Sequence, residues 1–373
     1  MGHDRQRREQ PSPPGTVPCS DGRVTDPGPE RDAVTLPFFL RADDHDALTA
    51  YLRRQGWIAP DDVVLSAGPA GDGNMNCTLR VMTEASRLIV KQGRPWVEKY
   101  PDIPAPAERT LVEAAFYEHV AGIRDLASRM PTLVGIDRES RVLVLADCVG
   151  FADLSPVYEG AALGAPVVEA LLTCLAALHR EPIGDPAAPP FANHAMRSLN
   201  HAYMYALPLV HDAATAEGLD RITPGLADAA AALTADADYA DRVAQLGAIY
   251  LHAAPQALLH GDFFPGSWLA RGHEVVVIDP EFCFAGPPEF DYGVMAAHLV
   301  MADQPEARLR QVASAALGAG RDLALVTAFA GAEVMRRLIG VAQLPRLDRS
   351  LAVKRALLER SRRLVVGLEM LPD

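Results

Sequence analysis

"LLHGDFFPGSWLARGHEVVVIDPEFCFAGPPEFD", residues 258–291, holds two short apolar runs that each end in carboxylates. Leu258 and Leu259 run into His260-Gly261-Asp262, and the valine run before Ile278 leads to Asp279-Pro280-Glu281. Both apolar runs read as short strands, with the acidic groups at their exits. Gly261 permits a tight turn that a side chain would hinder, so Asp262 projects at a loop tip. Crowded carboxylates repel one another and lose hydration, so a positive partner is expected. A metal ion, a neighbouring arginine and water alone are the three options.

A carboxylate at such a tip can accept a proton from a substrate hydroxyl, the task of the catalytic-loop aspartate in phosphoryl transfer. Asp279 and Glu281, one residue apart, suit Mg²⁺, a hard cation that takes few protein ligands plus phosphate oxygens and water. Together the two loops favour the first option, a metal ion that carries a nucleotide.

Working outward, the 373 residues are enough for two lobes. A hydrophobic content of 49% with 22% charged residues describes a globular chain. No apolar run reaches the roughly 20 residues of a membrane helix. A net charge of −13 argues against a nucleic-acid partner, though local lysines and helix N-termini can still hold an anion. Five scattered cysteines without metal-ligand spacing suggest reduced thiols and a cytoplasmic setting.

Residues 1–33 are rich in proline, glycine and charge and read as a disordered tail. Residues 34–148 open with a helix capped by aspartate and continue as short strands, "VVLSAG", "MNCTLRVM", "RLIVKQ" and "RVLVLAD". Between the last two strands, "AERTLVEAAFYEHVAGI" has helical spacing, with Leu111, Ala115 and His119 along one face. Residues 149–373 are mostly Ala/Leu-rich helices, with "ALLHGD" and "EVVVID" as the short strands among them. The class expected is α+β: a small antiparallel sheet followed by a helical body.

Gly68, Gly71 and Gly73 lie between two strands, in a hairpin whose backbone N–H groups could cover phosphates. Lys91 ends an apolar strand, where a lysine either snorkels to water or pairs with an acid and a phosphate. Glu113 on the following helix is the natural acid, with Glu108 and Glu118 on the same helix as alternatives.

In this order the Gly-loop, "IVK", the helix glutamate, "HGD" and "IDPE" are similar to the aminoglycoside phosphotransferase/choline kinase group of protein-kinase-like enzymes. "GDGNMN", "LIVKQ" followed by "RPWV", "HGD" followed by "GS", "IDPEFCFAGPPEFDYG" and "GAEVMRRLIG" resemble the 5-methylthioribose kinase branch. The likeness covers roughly residues 36 to 370. It implies a two-lobed, protein-kinase-like fold, with a nucleotide-binding lobe first and a catalytic and substrate lobe second. It implies Asp262 as catalytic base, Asp279 and Glu281 as Mg²⁺ ligands, and Lys91, oriented by Glu113, on the phosphates of ATP. Gly71, Asp72, Gly73 and Asn74 would cover the nucleotide, Leu145 to Val149 would form the hinge that meets adenine, and Arg336 and Arg337 would grip a small sugar. A homodimer is implied as well.

The branch usually has HGDLHTGS where this chain has HGDFFPGS, so Phe263, Phe264 and Pro265 are expected to wall the acceptor side. Ser267 stands where the wider group has asparagine. Glu333 lies three and four residues before the arginines, which also allows ordinary surface ion pairs. Asp291 is expected to cap the following helix, and His260 to brace its loop. An aminoglycoside or secondary-metabolite phosphotransferase is the alternative enzyme. A catalytically inactive nucleotide-binding regulator is disfavoured by the intact Lys91, Asp262, Asp279 and Glu281.

Overall fold

The computed structural model describes residues 36–71, 73, 75–181, 190–210, 212–344 and 346–373. The tail of residues 1–33 and the loop residues Asp72 and Asn74 lie outside the described residues. The first helix, α1 (His45–Arg54), begins where the Asp44 carboxylate accepts the backbone N–H of Ala47 at 2.9 Å, as the capping pattern predicts.

Strands β1 (Val64–Pro69), β2 (Cys77–Thr83) and β3 (Arg87–Gln92) form an antiparallel sheet. It continues through Val142–Ala146, which pairs with β3, to an edge strand, Leu133–Asp137. Alternation along the strands divides the residues between two faces. Leu79, Val81, Leu88, Val90, Val142 and Val144 pack with Leu48, Tyr51 and Leu52 of α1. Leu143 and Leu145 join the larger core, with Ala114, Phe116, Tyr117 and Val120 of α2 (Arg109–Ala121). The buried stripe of α2 is therefore Arg109, Glu113, Phe116, Tyr117 and Val120, not the expected face of Leu111, Ala115 and His119, which is only half-buried.

The edge strand Leu133–Asp137 was not expected, because Gly135 interrupts its apolar pattern. That glycine has a packing reason: a Cβ there would lie 1.8 Å from Nε1 of Trp57.

The helices read from the Ala/Leu-rich stretches form, with two more at His194–His201 and Ala213–Ile222. Ala257–Leu259 pairs with Phe284–Gly286, and Trp268–Arg271 with Glu274–Val277, so each acidic loop leaves a short antiparallel pair. Behind them stack the helices Glu289–Met301, Leu323–Ile339 and Leu351–Val365. Every residue of Glu289–Met301 is buried, which makes it the central helix of the body. Among the described residues no helix is long and apolar enough to cross a membrane.

Candidate active site

Lys91 faces α2 because it alternates with Leu88 and Val90, which point to the opposite side of the sheet. Its Nζ donates to Oε1 of Glu113 at 2.7 Å, with both side chains buried. The same ammonium meets Asp279, whose side chain is 40% exposed. Burial opposes the charge on Lys91, but Asp279 and Glu113 outweigh it and hold the ammonium well above the ordinary lysine range. The alternatives on α2 point away: Glu108 is exposed and meets Arg141, and Glu118 is exposed and meets Arg138.

Asp279 adopts a left-handed backbone conformation, φ 63°, which turns the chain sharply after its strand. Its backbone N–H donates to the Tyr117 hydroxyl at 3.3 Å. Glu281 follows on a short turn of helix, where its Oε2 accepts from the Asn76 amide at 2.7 Å. Arg109 stands behind, with Nε 3.7 Å from Glu281 and donating to Oδ1 of Asn76 at 2.7 Å. The fully buried Arg109 also donates to the carbonyls of Arg94 and Pro106, at 2.6 and 2.8 Å. It thereby ties the hairpin root to Glu281. Burial pushes the Glu281 carboxyl up to about 8, against the pull of Arg109.

The turn at Gly261 (φ 85°) has no room for a side chain, since a Cβ would lie 2.2 Å from the Phe282 carbonyl oxygen. Asp291 fixes this turn from the central helix. Its Oδ2 accepts the N–H of His260 at 2.8 Å, and its Oδ1 accepts that of Gly261 at 3.0 Å. Asp291 therefore braces the loop and does not cap the helix, which begins at Glu289. His179 supports the same carboxylate from 3.0 Å, and His260 braces the second loop through the Ile278 carbonyl at 2.9 Å. Ser267 donates to the backbone carbonyl of Asp262 at 3.2 Å, so it too closes the loop.

Asp262 Oδ1 accepts from Arg337 Nη2 at 2.7 Å, with Arg336 3.5 Å away. Both arginines are buried, as is Glu333, which pairs with them at 3.1 Å (Arg336) and 2.5 Å (Arg337). The surface-pair alternative is thus overturned: this ion cluster has almost no solvent around it. Phe263 is 1% exposed, wedged between His260 and Trp268, and so belongs to the core and not to the acceptor wall. Of the three departing residues only Phe264 lines the cleft, with the Arg337 guanidinium 4.7 Å from its ring centre.

Each crowded carboxylate thus has a cationic side chain of the chain itself beside it: Lys91 at Asp279, Arg109 at Glu281, Arg337 at Asp262. The sequence pattern favours a metal and does not single out Arg109, Asn76 or Tyr117. Arg109, Glu113 and Tyr117 are spaced by four on one helical stripe, a signal that was available. A hard cation still fits the donor set, because Asp279 and Glu281 offer carboxylate oxygens on one cleft wall. Among the described residues no group of three or more His, Cys, Asp or Glu is placed to hold a metal ion, so these two carboxylates would be its side-chain ligands of that kind.

One cleft of about 1110 Å³ collects these groups. Lys91, Gly71 and Gly73 line it from the sheet side, and Asp262, Asp279, Glu281, Arg336 and Arg337 from the helical side.

Residues 67–326 match the phosphotransferase enzyme family, and the chain belongs to that family. It is 29% identical over 267 residues to methylthioribose kinase of Exiguobacterium sibiricum, covering 68% of this chain and 65% of that one. It is 25% identical over 293 residues to methylthioribose kinase 1 of Oryza sativa subsp. japonica, covering 70% and 63%. The chain thus spans just under two thirds of the length of these curated relatives. The crystal structure of LicA in complex with AMP superposes with a TM-score of 0.50 at 12% identity, over 88% of this chain and 100% of that one. The α+β, protein-kinase-like two-lobed fold expected from the sequence is the fold observed, and the resemblance to the methylthioribose kinase branch is borne out.

Proposed function

We propose that this protein is an ATP-dependent small-molecule kinase that phosphorylates a sugar hydroxyl, with 5-methylthioribose or a related 5-substituted pentose as acceptor. The observation that carries this reading is the buried Lys91–Glu113 pair facing Asp262, Asp279 and Glu281 across one cleft. The relatives named methylthioribose kinase support the acceptor class. Residues 34–148 are the nucleotide-binding lobe and 149–373 the catalytic and substrate lobe. The setting is the cytoplasm, and a homodimer follows the family likeness.

In this reading Lys91 holds the phosphates of ATP, and Glu113 keeps its ammonium in place. The hairpin residues Gly71, Asp72, Gly73 and Asn74 cover the nucleotide, and the strand end from Leu145 to Val149 meets the base. Asp279 and Glu281 would hold Mg²⁺, which supplies charge neutralisation on the phosphate oxygens. Asp262 orients the acceptor hydroxyl and takes its proton as the phosphoryl group arrives. Arg336 and Arg337 hold the other hydroxyls. Two guanidiniums balanced by Glu333 and Asp262 leave the acceptor end near neutral, which suits a polyol better than a polycationic aminoglycoside.

ATP consumption measured against methylthioribose, other pentoses, choline and aminoglycosides tests the reading. Turnover confined to a pentose is expected. Turnover with an aminoglycoside alone, or with no acceptor at all, would overturn the sugar assignment.

A further inference from the structure

Glu333 lies one turn before the arginine pair and is fully buried. Adjacent residues on a helix point about 100° apart, so Arg336 and Arg337 cannot face one ligand without being drawn together. A carboxylate three and four residues back is placed to draw both. Oε1 of Glu333 accepts from Arg337 Nε at 2.5 Å, and Oε2 accepts from Arg336 Nη1 at 3.1 Å.

A second chain of contacts reaches the same carboxylate from two other elements. His298, on the central helix, has its Nε2 3.1 Å from Oε1 of Glu333. The Tyr158 hydroxyl is 2.6 Å from Nδ1 of His298. The direction of this chain follows from the chemistry of its members. Both guanidiniums hold Glu333 ionised, well below the ordinary carboxylate range despite its burial, so it can only accept. Burial keeps His298 neutral, pushing it down to about 4, so one ring nitrogen donates and the other accepts. Nε2 must then carry the proton toward Glu333, and Nδ1 accepts from Tyr158.

The far end of the chain is as constrained. The Arg337 guanidinium uses Nε on Glu333, Nη1 on the Ala342 carbonyl at 3.3 Å, and Nη2 on Asp262 at 2.7 Å. Its face lies over Phe264, whose ring is also 5.2 Å from that of His298. Three of its five N–H donors are thus committed within the chain, which fixes the group and leaves two for an acceptor. Buried ion clusters of this kind are costly to desolvate, and a cleft is where their rigidity has a use.

We propose that Glu333 is a positioning residue for the acceptor end of the cleft: with His298 and Tyr158 behind it, it holds Arg337 over Phe264 and against Asp262. The proposal rests on the reading of Asp262 and the arginine pair as acceptor-binding groups. Glu333 touches no substrate. It acts through Arg337.

The test uses the full chain in wild-type, Glu333→Gln and Tyr158→Phe forms. Side-chain NMR of labelled protein reads the exchange of the Arg337 Nε–H with water and the ring nitrogens of His298. The wild type should show a protected Nε–H and a single, Nε2-protonated tautomer. Glu333→Gln should speed the exchange by about tenfold or more, the loss of a charged hydrogen bond, and Tyr158→Phe should mix the tautomers. With a pentose acceptor, both variants should raise the acceptor KM while the nucleotide KM stays within about twofold, a split expected of uniform acceptor binding. Unchanged Arg337 exchange in Glu333→Gln, or acceptor and nucleotide KM rising together, would overturn the proposal. If Glu333→Gln does not fold, the tautomer and the KM split in Tyr158→Phe decide instead. A wild type that phosphorylates no pentose defeats the substrate reading, and the NMR arms still decide the positioning role.

Discussion

Asp262 sits at the tip of a turn held by Asp291 and meets Arg337 at 2.7 Å, so its carboxylate is oriented before any acceptor arrives. Replacing it with asparagine keeps the size and a hydrogen bond but removes the proton acceptor. Asp262→Asn should lower kcat by roughly 10²–10⁴, the range for a positioned general base, and leave the ATP KM near its wild-type value. Steady-state kinetics on the preferred acceptor checks this, and a variant with full turnover removes Asp262 from the chemistry. His298 allows a second prediction, on stability. Burial lowers its folded-state pKa to about 4, below the ordinary value of 6.5. Between those limits the unfolded chain binds a proton that the folded chain refuses. The stabilisation is therefore complete above pH 6.5 and falls as pH drops toward 4, by on the order of 3 kcal/mol for this one group. His298→Gln should flatten that slope in denaturant unfolding measured across the window. An identical slope in both proteins would mean that another group carries the acid sensitivity.

The turn after Ala257–Leu259 and the one after Glu274–Val277 set the two acidic loops, and each relies on a left-handed backbone residue, Gly261 and Asp279. At Gly261 both the conformation and the space demand glycine. Gly261→Ala should cost about 1–3 kcal/mol or more, because the strained φ adds to the collision with the Phe282 carbonyl. Thermal unfolding reads the loss, and activity should fall with it, since the same shift moves Asp262. An alanine variant of unchanged stability would show that the turn is looser than its geometry. These loops were readable in the sequence because strand, glycine and carboxylate are adjacent in the chain. The Lys91–Glu113 pair was readable because an apolar strand ends in lysine and a helix follows. What escaped were partners remote in the chain: Arg109 to Asn76, Asp291 to the turn at Gly261, His298 to Glu333. Nothing local in those residues says which distant carboxylate or amide each will meet. Phe263 was misplaced for the same reason, since its loop position says nothing of the core pocket between His260 and Trp268.

The cleft lies between a sheet that contributes Lys91 and a helical body that contributes Asp279, and the direct contact of these two side chains bridges them. Asn76 and Glu281 make a second bridge at 2.7 Å. Both bridges run through the carboxylates proposed to hold Mg²⁺, so loading of the nucleotide should be felt by the molecule as a whole and not only by its loops. A ligand that binds only the folded state at a hundred times its Kd stabilises by about 2.7 kcal/mol. For a protein with domains of about 150–250 residues that corresponds to a rise in Tm of roughly 5–10 °C. In the wild type, ATP with Mg²⁺ should raise Tm clearly more than ATP with a chelator. Asp279→Asn preserves the side-chain volume but removes the charge that faces Lys91 and that is proposed to hold Mg²⁺. In that variant the added Tm rise from Mg²⁺ should vanish, while the smaller rise from metal-free ATP, carried by Lys91 and the hairpin, should persist. Differential scanning calorimetry of both proteins, free and under each of the two ligand conditions, separates the terms. A variant that keeps the full magnesium increment would place the metal away from Asp279 and leave that carboxylate as a partner of Lys91 alone.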